Sequence, residues 1–204
     1  MNLPPVRTLV RSLGLAACLG AGLNACNSPT PAPLHLPEMT FTEPAPIRLN
    51  VARIEIDSQY KAPAAAPHIE YDMPVSPENA VRRWAQDRLR AVGQQGVLRV
   101  VIRNASATEV PLATDKGLTG MFTKQQAAKV DLALDVELQI LDERQFVLAS
   151  VSAQASRSRT EVEGRTLNQR DQLLYDTTYD LVRGFDHEIS VNIPNGFNRW
   201  LVAG

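Results

Sequence analysis

Two cysteines, three histidines, one row of carboxylates and one pair of arginines are the side chains of this 204-residue chain that could do chemistry. Cys18 and Cys26 both lie near the N-terminus, behind Arg7 and Arg11 and within or just after an apolar run over residues 13–25. A basic head, an apolar stretch too short to span a bilayer and a small-residue close are the layout of an export signal. The closing Leu23-Asn24-Ala25-Cys26 reads as a lipobox, where the signal is cut ahead of the cysteine and the thiol takes acyl chains such as palmitate. Leu15-Ala16-Ala17-Cys18 is an alternative tetrapeptide with only about half the usual apolar length before it, and cleavage after Ala25 without lipidation is a third reading. Processing at Cys26 leaves a mature chain with no free thiol and no disulfide, so its stability must come from packing.

The other candidates for catalysis fall away on spacing. His35 sits among prolines, His68 in a second proline-rich stretch, and His187-Glu188 would need its next histidine at Val191 to make a zinc-binding helix. Gly20-Ala21-Gly22-Leu23-Asn24-Ala25 matches a nucleotide-loop pattern but belongs to the signal. No nucleophile elbow and no P-loop occur. Asp131, Asp135 and Glu137 share one face of an alternating segment, which is the solvated side of a strand rather than an acid pair. The expectation is a protein with no catalytic residue, metal or cofactor, and not an enzyme.

Two features point to binding instead. In the stretch 112–129, Gly117 and Gly120 bracket Leu118 ahead of Met121 and Phe122. An apolar loop tip of this kind either meets a membrane, lipid or partner, or tucks beneath the sheet. Arg157 and Arg159 continue an apolar phase past its last alanine. There they either hold phosphate or carboxylate headgroups or pair with Glu161, Glu163 or the last helix.

The elements that position these residues follow from periodicity. After the signal (1–25), residues 26–46 form a lipidated, proline-rich tether with prolines at 29, 31, 33, 37, 44 and 46. Extended at about 3.1 Å per residue, it reaches roughly 60 Å from the bilayer. Residues 47–204 make one domain. Its first strand covers 47–56 with a phase change near Ala52. Ser76, Pro77 and Glu78 start a helix that carries Val81, Trp84, Ala85, Leu89 and Val92 inward, leaves Arg82, Arg83, Asp87 and Arg90 to solvent, and ends at Gly93. Strands are expected at 98–102, 130–140 and 147–156, the last two joined by a hairpin at 142–145. Thr166 and Gln169 form a capping box for the closing helix, which Pro194-Asn195-Gly196 should break, leaving Trp200, Leu201 and Val202 to pack back. The fold class is α+β: two layers, a mostly antiparallel four-stranded sheet with two helices on one face, in the order β-α-β-β-β-α.

With a net charge of −1 and acids interspersed among bases, the domain offers no nucleic-acid surface. Asn27 after the cysteine directs a lipoprotein to the outer membrane by analogy with enterobacterial sorting, its domain facing the periplasm; inner-membrane anchoring is the other placement. Cys26, the 47–56 strand, Trp84 on the first helix, the 130–140 strand and the helix starting near Leu167 together resemble the ABC-type transport auxiliary lipoproteins of mammalian-cell-entry-type lipid-trafficking systems. The resemblance implies a non-catalytic accessory subunit held to the membrane by its lipid, within an envelope protein complex that handles a lipid ligand. A structural outer-membrane lipoprotein supporting assembly of barrels, lipopolysaccharide or cell wall is the alternative. If Cys26 is the acylated residue, Cys26→Ser abolishes incorporation of labelled palmitate and releases the chain from washed membranes, whereas Cys18→Ser leaves both unchanged.

Overall fold

Aliphatic side chains at every second position from Val130 to Ile140 are buried and form the floor of the core. The computed structural model, which describes residues 34–113 and 126–203, runs in chain order β1 (Ile47–Leu49), β2 (Arg53–Ser58), α1 (Pro77–Arg88), β3 (Leu89–Ala91), β4 (Val97–Pro111), β5 (Gln126–Leu141), β6 (Val147–Val162) and α2 (Leu167–Phe197). Four strands make one sheet in the order β2-β4-β5-β6; β2 is parallel to β4, and the other two pairings are antiparallel. Trp84 from α1 and Leu181, Phe185 and Ile189 from α2 complete the core over that floor. The α+β class and the β-α-β-β-β-α order of the main sheet are as expected.

Several boundaries differ, each for a physical reason. The 47–56 strand is two strands in different sheets: β1 pairs parallel with β3, while β2 joins β4. The switch occurs at Val51 and Ala52, where the Ala52 N–H turns away to donate to the Gly96 carbonyl at 3.0 Å. Because β1 needs a partner, α1 stops at Arg88 and Leu89 goes extended, with φ −110° and ψ 137°. Gly93 is therefore not a helix cap. A Cβ there would lie 2.6 Å from the Asn50 carbonyl carbon, so glycine lets the two backbones touch. Strand β4 extends well past Ile102 because a bulge near Arg103 shifts the buried phase from Leu98, Val100 and Ile102 to Ala105 and Ala107. Helix α2 runs through Pro194, with Ile193 and Phe197 buried on either side. Fully burying such side chains gains about 1.5–3 kcal/mol each, enough to offset the roughly 3 kcal/mol cost of an interior proline. The two helix starts are as read: Ser76 accepts from the Asn79 N–H, and Thr166 with Gln169 forms the capping box.

Described residues ahead of Ile47 also pack on the domain. Residues 34–46 carry no helix or strand, in keeping with their prolines, yet Met39 and Phe41 are buried. The Phe41 N–H donates to Asp87 at 2.8 Å, its ring stacks on Tyr179, and Glu38 pairs with Arg83. Arg83 and Asp87, expected to be merely solvated, thus hold this stretch as a strap. Its far end is held by Arg88, which is only 1% exposed. Arg88 donates to the carbonyls of Pro44 and Ala45, to Asp186 on α2 at 2.9 Å and to Ser190 at 3.4 Å. Asp186 also accepts the Trp84 indole N–H at 2.8 Å. Removing one partner of a buried pair of this kind costs about 3–5 kcal/mol. Asp186→Ala is accordingly expected to lower unfolding stability by about that amount in denaturant titrations, and to open residues 34–46 to protease; a loss below about 1 kcal/mol would show that the pair does not hold the strap.

Candidate functional site

Strand β6 alternates small residues with serine and ends on arginines, and the structure puts that arginine end at the rim of the core. Arg157 stands opposite Leu132 and Arg159 opposite Val130 on β5, on the side that faces α2, and both are exposed. Nη1 of Arg157 donates to the Ser156 carbonyl at 2.8 Å, and the guanidinium rests on Gly184. A Cβ at position 184 would come within 2.5 Å of Nη2, so the glycine makes room for the cation. Nη2 of Arg159 donates to Asp180 of α2 at 3.1 Å. Of the partners foreseen for these arginines, the last helix is the one found. Cys26, Leu118, Met121 and Phe122 lie outside the described residues.

The outer edge of β6 is covered in one half only. Asn192 donates to the Ser152 carbonyl at 2.9 Å, so even-numbered residues point their backbone groups away from β5. Arg157 meets the Ser156 carbonyl on the same outward side. Beyond that point β6 is the terminal strand, and no described backbone group bonds its outer side. A groove of about 700 Å³ opens here between the strand and the first turns of α2, with Arg159, Arg165, Leu173 and Asp176 among its walls. Sequence periodicity identified the arginines but not this edge, because which side of a strand is left open depends on where the helix lies.

The remaining ionisable groups are occupied by packing. Asp131 bonds Lys129 and Ser158, Asp135 accepts from Gln154, and Glu137 accepts from Arg103 and Gln139. Among the described residues no group of three or more His, Cys, Asp or Glu could hold a metal. Glu70, missed in the sequence, is buried and acts in place of a missing strand. One of its oxygens accepts from the Ala107 N–H at 2.9 Å, the Tyr60 hydroxyl at 2.5 Å and His68 at 3.0 Å, while the Ile69 N–H and Pro67 carbonyl pair with β4 on either side. Burial works against its charge, but the bonds from Tyr60, Ala107 and His68 together hold its carboxyl below the usual range. Burial first, then the bond and charge of Glu70, pushes the Tyr60 phenol up. Glu161 behaves in the opposite sense. It turns beneath α2, 3.9 Å from Arg170, which pairs at 2.6 Å with Glu109. Burial and the Glu109 charge raise its carboxyl against the pull of Arg170 and Arg165.

No family model matches the chain, and no curated protein matches it. One solved structure that it resembles is a minor lipoprotein from Acinetobacter baumannii, at 15% identity over 76% of this chain and 99% of that one, with a TM-score of 0.36. A likeness at that level carries no argument about fold or function. No helix among the described residues is long and apolar enough to cross a membrane.

The two buried glutamates give opposite pH signatures. Stability from Glu70 is present above its unfolded value of about 4.3 and is lost as pH falls through its lower folded value. The penalty from Glu161 is present above its raised folded value and is relieved as pH falls toward about 4.3. Glu70→Ala, which strands the Ala107 N–H, is expected to cost about 3 kcal/mol at neutral pH and to flatten the acid limb. Glu161→Gln raises the melting temperature at neutral pH, and the gain disappears near pH 4. Melting curves across this pH range check both; identical curves for wild type and either variant would refute the assignment.

Proposed function

We propose that this chain is a lipid-anchored, non-catalytic accessory subunit of an envelope complex, of the lipid-transport kind, resident on the periplasmic side of the outer membrane. The supporting observation is where the open edge lies relative to the chain's entry. Phe41 stacks on Tyr179, and Arg159 of the open edge pairs with Asp180, the next residue along α2. The strap and the uncovered half of β6 therefore share one level of the domain. Phe41 follows Cys26 by fifteen residues, so an anchor on Cys26 keeps that level within about 50 Å of the bilayer surface. An arginine-bearing sheet edge at that height is placed to hold a membrane-associated partner, or the headgroups that such a partner carries.

The lipid makes this attachment long-lived. Each buried methylene contributes about 0.8 kcal/mol, so two or three acyl chains hold the domain almost permanently. Affinity capture of the intact lipoprotein from gently solubilised membranes, followed by mass spectrometry, tests the reading. Recovery of an ABC permease or its lipid-binding component is the expected outcome. A barrel- or wall-assembly factor without lipid enrichment would shift the assignment to envelope assembly, and recovery of the lipoprotein alone would overturn it.

A further inference from the structure

We infer that the uncovered half of β6, residues 154–160, receives an extended segment of a partner protein as a fifth strand, and that this segment carries carboxylates two residues apart. The inference rests on the accessory-subunit reading and names the partner's chemistry. Three observations on the edge lead to it.

First, the edge is open where a neighbouring stretch is closed. The far half of β4 is covered by the 67–70 loop and by the Glu70 carboxylate on the Ala107 N–H, while β2, a terminal strand of six residues, bounds the sheet on the opposite side. The near half of β6 is closed by Asn192 on the Ser152 carbonyl. From Gln154 onward the outward groups of every second residue face no described strand, and Gln154, Ser156, Ser158 and Thr160 are all exposed. An open edge of this length, without proline or glycine, is a template for strand addition.

Second, the charge pattern selects the occupant. On the α2 side the edge presents Arg157 and Arg159, two residues apart. Arg157 makes no ion pair among the described residues, and the pair between Arg159 and Asp180 is solvent-exposed and so contributes little. A second copy of β6 added antiparallel about Ser158 would put Arg157 opposite the other copy's Arg159, which is destabilising. A strand with acids at alternate positions gains a cross-strand ion pair at each arginine instead. Third, there is room. The groove of about 700 Å³ at the far end of this edge, walled by Arg159 and Thr160 on one side and by Leu173 and Asp176 of α2 on the other, takes the added strand's side chains that lie beside Arg159.

Hydrogen exchange on the captured lipoprotein complex tests this directly. Amides of Gln154, Ser156, Ser158 and Thr160 are expected to exchange at least tenfold more slowly in the complex than in the lipoprotein alone. The alternate residues between them, already bonded to β5, should not change. Ser158→Pro removes an outward N–H together with the exposed hydroxyl's bond to Asp131, and should lose the partner, whereas Ser158→Ala, which removes the hydroxyl alone, should keep it. The double substitution Arg157→Glu with Arg159→Glu, at exposed positions, should also lose the partner even if the proline variant folds poorly. Equal exchange of the outward amides with and without partner would overturn the inference while leaving the accessory role intact. So would retention of the partner by the charge-reversed protein. Failure to capture any partner with the wild type would instead remove the functional reading on which the inference rests.

Discussion

The Arg88 guanidinium, buried between two helices and a strap, is the interaction on which the rest of the domain depends. A guanidinium offers five N–H donors in one plane, and this one directs them to two other elements: Asp186 and Ser190 of α2, and the backbone carbonyls of the strap. Asp186 returns the link to α1 by accepting the Trp84 indole N–H. Apolar packing alone would leave the helices free to slide along each other and the strap free to lift. A buried charge that must find all its partners at once permits only one arrangement. With that arrangement set, β1 is delivered to β3, and the chain enters the domain at the level of Tyr179.

The sheet's edges show the same economy of polar groups. A terminal strand exposes a row of backbone donors and acceptors, and the molecule answers this in two ways. Along β4 it uses a loop and one carboxylate, and Glu70 keeps its charge because three donors converge on a single oxygen. Along the first half of β6 it uses the C-terminal half of α2, through Asn192. The helix leaves the second half uncovered. There the side chains change from alanine and valine to arginine, so the boundary between closed and open edge coincides with a boundary between apolar and charged sequence.

Much of the architecture is legible in the sequence. The period-two run at 130–140, the Ser76-Pro77 and Thr166-Gln169 helix starts, and the order of elements depend on neighbours within a few residues, and all of them are present. The expectations that changed concern competition between local preference and a distant partner. Leu89 and Val92 fit a helical stripe, but β1 takes Leu89 into a strand. Pro194 should end α2, but Ile193 and Phe197 are buried on both sides of it. Prolines make residues 34–46 irregular as expected, yet Met39 and Phe41 find pockets on the helices.

The candidate site divides along the same line. Sequence alone determined that Arg157 and Arg159 stand in phase at the end of a strand and that the domain is α+β. These are consequences of residue type and spacing, which act over one or two turns of chain. Tertiary structure decided that the arginines rest on Gly184 and Asp180, that Glu70 stands in for a strand, and that one half of β6 lies open while the other is covered. Those outcomes depend on where a 31-residue helix is laid across the sheet. In that placement Arg88 meets Asp186 across 98 positions of chain, a separation at which no local pattern carries information.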